Sequence, residues 1–252
     1  MKLLHLDLPT PAENLAADET LLDDCEAGLG SETLMFWEPR ETFVVVGYAN
    51  KVAREVNLTA CADKNIPIFR RCSGGGTVVQ MRGGLNYSLI LRIDATGPTR
   101  NISSANQFVM EKNRAAIESV ARTLNPKSRI FVRGHTDLTL VTRDSPLVTE
   151  RKFAGNSQRR RKNYLLFHGT LLLDCDLNLI GKLLLMPSQE PGYRAGRPHA
   201  DFVTNLRLPA DKIKSAFATA WQADELLQNP PLQKISEFAR EKYSTPAWNF
   251  KF

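Results

Sequence analysis

Phe69 to Gln80 reads FRRCSGGGTVVQ, and its residue types suit the binding of an anion. Three consecutive glycines, Gly74, Gly75 and Gly76, cost backbone entropy in any ordered structure, so something must need the chain to come close there. Unhindered main-chain amides beside Arg70 and Arg71 make a concave site, where guanidinium groups add charge-assisted hydrogen bonds to a phosphate or carboxylate. No lysine follows the glycines and no helix pattern opens after them. That excludes a Walker A loop and a GxGxxG fingerprint. The competing reading is a glycine hairpin of purely structural origin, but such a hairpin requires neither three glycines nor paired arginines.

A second segment, ERKFAGNSQRRRKNYLLFHGTLLLD, places Lys152 beside a small-residue bend at Ala154, Gly155, Asn156 and Ser157. A lysine at such a bend reaches a ligand as a point charge and can neutralise charge that develops between a phosphate and a carboxylate. The basic run Arg159 to Lys162 reads either as a dock for an acidic protein surface or as a solvated turn. His168 reads either as an acid or base or as a hydrogen-bonded structural group in an apolar strand. The four cysteines, Cys25, Cys61, Cys72 and Cys175, are scattered without a CxxC pair, so neither a disulfide framework nor a zinc site is expected.

The elements that must position these residues follow from periodicity. The chain has 252 residues, 42% hydrophobic and 24% charged, with a net charge of +6, which suits one globular core and an acidic or phosphate-bearing partner. Its longest apolar runs fall short of the roughly 20 residues that a spanning helix needs. The N-terminus lacks the character of a leader, so the expected compartment is the cytoplasm. Helices are predicted over residues 12–28, in LTACADKN, over 104–124, and in LNLIGKLLL, ADKIKSAFATAW and LQKISEFAREKY. Strands are predicted in TLMFW, FVVVG, IPIF, TVVQM, NYSLILRI, RIFVRG, DLTLV, RKFAGNSQ and YLLFHGTLLLD, the last interrupted at Gly169 and Thr170. No repeat or linker appears. One α+β domain over residues 1–252, with a mixed sheet, is expected.

RRCSGGGTVV, GHTDLTL, RKFAGNSQRRRK and HGTLLLDCDL, in this order and spacing, resemble the catalytic domain of lipoate-protein ligases, in the superfamily that also holds biotin ligases and octanoyltransferases. The resemblance implies a single domain with a mixed, largely antiparallel sheet flanked by helices. It also implies a two-step reaction in which lipoic acid and ATP give lipoyl-AMP, and the lipoyl group then passes to a lysine of an acceptor. Arg70, Arg71, Ser73, Gly74, Gly75, Gly76, Thr77 and Val78 match the loop that lines the acyl and adenylate pocket, and Lys152 matches the family's catalytic lysine. Asn86, Asp137, Gly155, His168, Gly169 and Thr170 match further pocket positions. Mg2+ is implied by the use of ATP, with Asp137 the one carboxylate named for it. The implied partner is an acidic lipoyl domain or a glycine cleavage H-type protein, with no nucleic acid and no membrane.

Octanoyltransferase relatives need a cysteine nucleophile, because thioester exchange passes through an acyl-enzyme. Of the two places where that thiol falls, one reads LMPSQ, with Ser188, and the other GHTDL, with His135. Cys72 is read as a packing residue and Cys175 as core. The glycine- and arginine-rich loop of biotin ligases is absent. Two-domain ligases continue past a segment like KYSTPAWNF into a small accessory domain, whereas this sequence stops at Phe252; the expectation is either a separate accessory polypeptide for the adenylation step or a self-sufficient variant. PSQEPGYRAGRPHADFVTNL reads as a lid over a nucleotide or as a plain surface loop. The alternatives to a ligase are an octanoyl or lipoyl transferase and a non-catalytic lipoyl-binding relative.

Overall fold

The computed structural model describes residues 1–142 and 149–252. In chain order it forms β1 (Lys2–His5), α1 (Pro11–Glu26), β2 (Thr33–Trp37), β3 (Phe43–Val46), α2 (Val52–Glu55), α3 (Leu58–Asp63), β4 (Ile68–Arg70), β5 (Val78–Gln80) and β6 (Gly84–Arg92). Then come α4 (Ile102–Leu124), β7 (Arg129–Arg133), β8 (Asp137–Thr142), β9 (Thr149–Arg160), β10 (Tyr164–Leu172), α5 (Asn178–Leu183), α6 (His199–Phe202), α7 (Ala210–Trp221), β11 (Glu225–Leu226), α8 (Leu232–Phe238) and α9 (Pro246–Asn249).

The larger sheet runs β11-β1-β2-β6-β10-β9-β8-β7, parallel only at its β11-β1-β2 end. Alternation decides its two faces. Leu34 and Phe36 of β2, Leu85 to Leu91 at odd positions of β6, and Leu165 and Phe167 of β10 meet α4 and α7 through Val109, Ile117, Ile213 and Phe217. Met35, Trp37, Ile90 and Leu166 point the other way, onto α1 and the C-terminal helices. Among the described residues no helix is long and apolar enough to cross a membrane.

Several sequence expectations change. A second sheet, β4-β3-β5, forms apart from the first and brings the ends of three short strands to the glycine segment. Ala154 to Ser157 is no bend but the interior of β9, and β10 runs through Gly169 and Thr170 without a break. Their small side chains answer to crowding instead: a Cβ on Gly169 would fall 1.7 Å from Asn156 Oδ1. The last predicted helix splits into α8 and a π-turn, Ala239–Tyr243. β1 and α2, short and weakly patterned, escape periodicity altogether.

α1 starts where Thr10 closes a capping box, its hydroxyl accepting from the Glu13 amide at 3.2 Å while the Glu13 carboxylate accepts from the Thr10 amide at 3.1 Å. Thirteen of its 16 residues are buried, so its acids must find partners inside. Glu19 accepts from Arg161 at 3.0 Å, Lys242 at 2.5 Å and Tyr243 at 2.7 Å, joining α1, the β9–β10 turn and the C-terminal π-turn. Burial alone would push this carboxyl up; the Lys242 and Tyr243 hydrogen bonds and the Lys242 and Arg161 charges outweigh it and hold it below its ordinary value.

A native value below the unfolded one means that the stabilisation is complete above the ordinary glutamate range and is lost as pH falls through the native value. Glu19→Gln is therefore expected to cost about 2 kcal/mol at neutral pH, discounted from a fully buried pair because both cations are partly exposed. In urea titrations across pH, the gap between wild type and variant should close on the acid side of pH 4; a gap independent of pH would remove the ion cluster as its cause.

Candidate functional site

The glycine segment links β4 to β5, and its geometry follows from where the carbonyls go. Arg71 donates from Nη2 to Gly74 O at 2.6 Å and to Gly76 O at 2.7 Å, and from Nε to Ser73 Oγ at 3.0 Å. Ser157 Oγ donates to Gly74 O at 2.9 Å, and Asn50 Nδ2 to Gly75 O at 3.1 Å. With every glycine carbonyl engaged, the amides of Gly74, Gly75 and Gly76 have no partner among the described residues, although all three glycines are exposed. Gly75 sits at φ +82°, a left-handed conformation that side chains disfavour. Burial draws the Arg71 guanidinium down to about 10, which leaves it charged at neutral pH.

Facing the segment is a cavity of about 660 Å3 lined by Arg71, Gly75, Gly76, Thr77, Val78, Asn86, Asp137, Lys152, Gly155, His168, Gly169 and Thr170, together with Trp37, Ser157 and Arg194. One row of cross-strand neighbours makes much of its floor: Trp37 pairs with Asn86, Asn86 with Thr170, Thr170 with Gly155, and Gly155 with Asp137. Gln80, Asn86 and Thr170 satisfy one another at 2.6–3.0 Å, so this polar floor carries no unpaired group.

Lys152 reaches this face because β9 is irregular. Residues 152 and 155 differ by an odd number and would point to opposite faces of a regular strand. Between Leu138 and Thr139 the register shifts: Ala154 pairs with Leu138 and Lys152 with Thr139, which leaves Phe153 over as an extra residue, buried in the core. Lys152 thus shares the cavity with Gly155, where a Cβ would lie 3.0 Å from its Nζ. Its ammonium meets Asp137 Oδ1 at 2.7 Å, and Tyr193 donates to Asp137 Oδ2 at 2.7 Å.

Tyr193 belongs to a 3-10 turn, Gly192–Arg194, in the segment read as a lid or a loop; Pro187, Glu190 and Arg194 from that segment line the cavity. His199 borders it too, its imidazole drawn down to about 4 by burial and by the Arg194 and Lys152 charges, so it is neutral at pH 7. Among the described residues no group of three or more His, Cys, Asp or Glu is placed to hold a metal ion. The one carboxylate named for Mg2+, Asp137, belongs to no such group and is held by Lys152 and Tyr193.

Arg70 and Ser73 lie elsewhere than the sequence suggested. Arg70 is fully buried and turns its guanidinium onto the carbonyls of Gly47, Tyr48, Asn50, Trp248 and Asn249 at 2.8–3.2 Å. It is therefore a clamp on the C-terminal segment, and Arg71 alone of the pair serves the cavity. Ser73 is buried beneath the glycines, with Oγ 2.5 Å from His168 Nε2. The basic run is largely consumed within the chain: Arg160 donates to Thr99 O and Arg100 O, and Arg161 to Asp23 and Glu19.

Sequence reading missed Asp18, Ser157 and Tyr193. An acid amid the apolar run of α1 was the one available sign of Asp18. No cysteine lines the cavity, and all four are buried. Burial, with the Glu19 and Asp18 charges, pushes the Cys72 thiol up to about 12, and burial pushes Cys25 and Cys175 up to about 11.

The chain is similar over its length to known proteins. It is 27% identical to octanoyltransferase LipM of Halalkalibacterium halodurans, covering 96% of this chain and 95% of that one. It is likewise 27% identical to the "Probable lipoate-protein ligase A" of Mycoplasma genitalium, over 95% of this chain and 69% of the relative. The fold matches a bi-partite lipoate protein ligase from Thermoplasma acidophilum, studied with its E2 lipoyl domain, at a TM-score of 0.79 and 22% identity, covering 99% and 95% of the two chains. It also matches a lipoate-protein ligase A bound with ATP, at a TM-score of 0.72 and 21% identity over 99% and 98%. The family profile described as Lipoyl protein ligase A/B catalytic domain spans residues 10–222 and so takes in the glycine segment, the β9 lysine and β10; the chain belongs to that enzyme family.

Proposed function

We propose that this chain is a lipoate-protein ligase that converts lipoate and ATP to lipoyl-AMP and pyrophosphate, and then transfers the lipoyl group to a lysine of an acidic lipoyl domain or glycine cleavage H-type protein. The observation that carries the reading is that the unpartnered amides of Gly75 and Gly76 and the Lys152 ammonium lie around one cavity that no cysteine lines. In the first step a carboxylate oxygen bonds to the α-phosphorus as the bond to the β-phosphate oxygen breaks, which brings two anions together. Main-chain donors and an ammonium group offset that repulsion and hold the mixed anhydride. In the second step the acceptor amine bonds to the acyl carbon, AMP leaves, and the amine proton goes to solvent. Nothing covalent is required of the protein.

Lys152 is assigned the charge-neutralising role, Gly74 to Gly76 the phosphate cradle, and Thr77, Val78, Asn86, Gly155, His168, Gly169 and Thr170 the walls. Arg71 acts through the cradle. Mg2+ would arrive with the triphosphate, since that ion keeps several waters and few protein ligands; no step here depends on a metal held by the protein. Residues 1–252 are taken as the catalytic unit, and a separate accessory polypeptide is included as one arm of the assays.

The second reading, an octanoyltransferase, is favoured by near-complete mutual coverage with LipM proteins. It lacks a nucleophile: thioester exchange needs an accessible thiolate, and every thiol here is buried away from the cavity with its ionisation suppressed.

Pyrophosphate release with lipoate or octanoate should appear in wild type and fall at least about 100-fold in Lys152→Ala, with the melting temperature kept. A variant that adenylates like wild type would strip the lysine of its role. Cys72→Ser should keep full lipoylation of an apo lipoyl domain. Transfer from octanoyl carrier protein without ATP, abolished by that substitution, would establish the transferase in place of the ligase.

A further inference from the structure

Beneath the glycine segment a buried polar relay runs back to α1. Ser88 Oγ donates to Asp18 Oδ1 at 2.5 Å, Asp18 Oδ2 meets His168 Nδ1 at 2.6 Å, and His168 Nε2 meets Ser73 Oγ at 2.5 Å. A carboxylate can only accept, so the proton of a neutral ring lies on Nδ1 and Nε2 accepts from the Ser73 hydroxyl. That leaves the Ser73 oxygen free to accept from Arg71 Nε at 3.0 Å, the same guanidinium that gathers Gly74 O and Gly76 O.

A serine, an imidazole and a carboxylate in this order also describe an acyl-transferring serine enzyme. Burial argues otherwise here. Ser73 is fully buried, outside the cavity lining, and its oxygen is already occupied by Arg71, so no acyl group reaches it.

We infer that Asp18 is a positioning residue, which fixes the His168 tautomer and through Ser73 and Arg71 holds the Gly74 and Gly76 carbonyls, and with them the Gly75 and Thr77 amides of the same peptide groups, at the edge of the cavity. This rests on reading Gly74 to Gly76 as the anion cradle; it does not depend on whether the acyl donor is an adenylate or a thioester.

Asp18→Asn keeps the side-chain volume; with its Oδ1 still accepting from Ser88 it offers Nδ2–H to the ring, which moves the proton to Nε2 and turns Ser73 from donor to acceptor. The full chain would be compared with wild type by 15N shifts of the His168 ring, backbone order parameters, melting temperature and adenylation kinetics. The expected result is a tautomer switch, order parameters at Gly74 to Gly76 falling from about 0.85 towards 0.6, a melting temperature within about 4 °C, and kcat/KM down about 10- to 100-fold. An unchanged tautomer and a rigid loop would overturn the inference, as would activity lost only in proportion to the unfolded fraction. Should Asp18→Asn fail to fold, Ser73→Ala, which removes one hydroxyl, decides by the same loop measurement. If the ligase reading itself fails, wild type is silent in adenylation while the tautomer and loop readouts still answer.

Discussion

A main-chain amide can serve a bound anion only if its own peptide group has a reason to face that way. Arg71 supplies the reason. By drawing the Gly74 and Gly76 carbonyls towards its guanidinium, with Ser157 adding a second hold on Gly74, it turns the other ends of those planar peptides, the Gly75 and Thr77 amides, away from itself. Arginine suits the task because its planar fork reaches several carbonyls at once and stays charged when buried. The glycines are permissive, and permissiveness alone would give a floppy loop; the guanidinium converts that freedom into a fixed row of donors. Such preorganisation is what makes donors effective when charge develops, since nothing has to reorient.

The rest of the site is arranged by the sheet. Pairing in register sets Asn86, Thr170, Gly155 and Asp137 in one line across four strands, although they are as much as 84 positions apart in sequence. A separate polar chain ties this floor to the opposite face: Trp221 donates to Asn113 at 2.8 Å, Asn113 to Tyr87 at 2.8 Å, Tyr87 to Asn156 at 2.7 Å, and Asn156 to the Thr136 carbonyl at 2.7 Å. Every member is satisfied, so the chain stiffens the sheet without leaving a buried group unpaired. α1 carries two consecutive acids with separate duties, Asp18 towards the cradle and Glu19 towards the C-terminal helices. One helix thereby couples the site to the packing that closes the fold.

The sequence alone determined the two long helices and the strands other than β1 and β11, because their periods of 2 and 3.6 are written in apolar spacing, and it marked RRCSGGG and the β9 lysine as an anion-binding pair by residue type. It could not separate Arg70 from Arg71, since adjacent residues on a chain leaving a strand diverge according to what packs on each side: one met the C-terminal carbonyls, the other the glycine loop. Nor could it place Lys152 on the face of Gly155, which depends on an extra residue at Phe153 that exists only relative to the partner strand. Asp18 became legible only when α1 was laid against β6 and β10. Composition and spacing fix what a residue can do, while which of its neighbours it meets is settled by non-local pairing and burial.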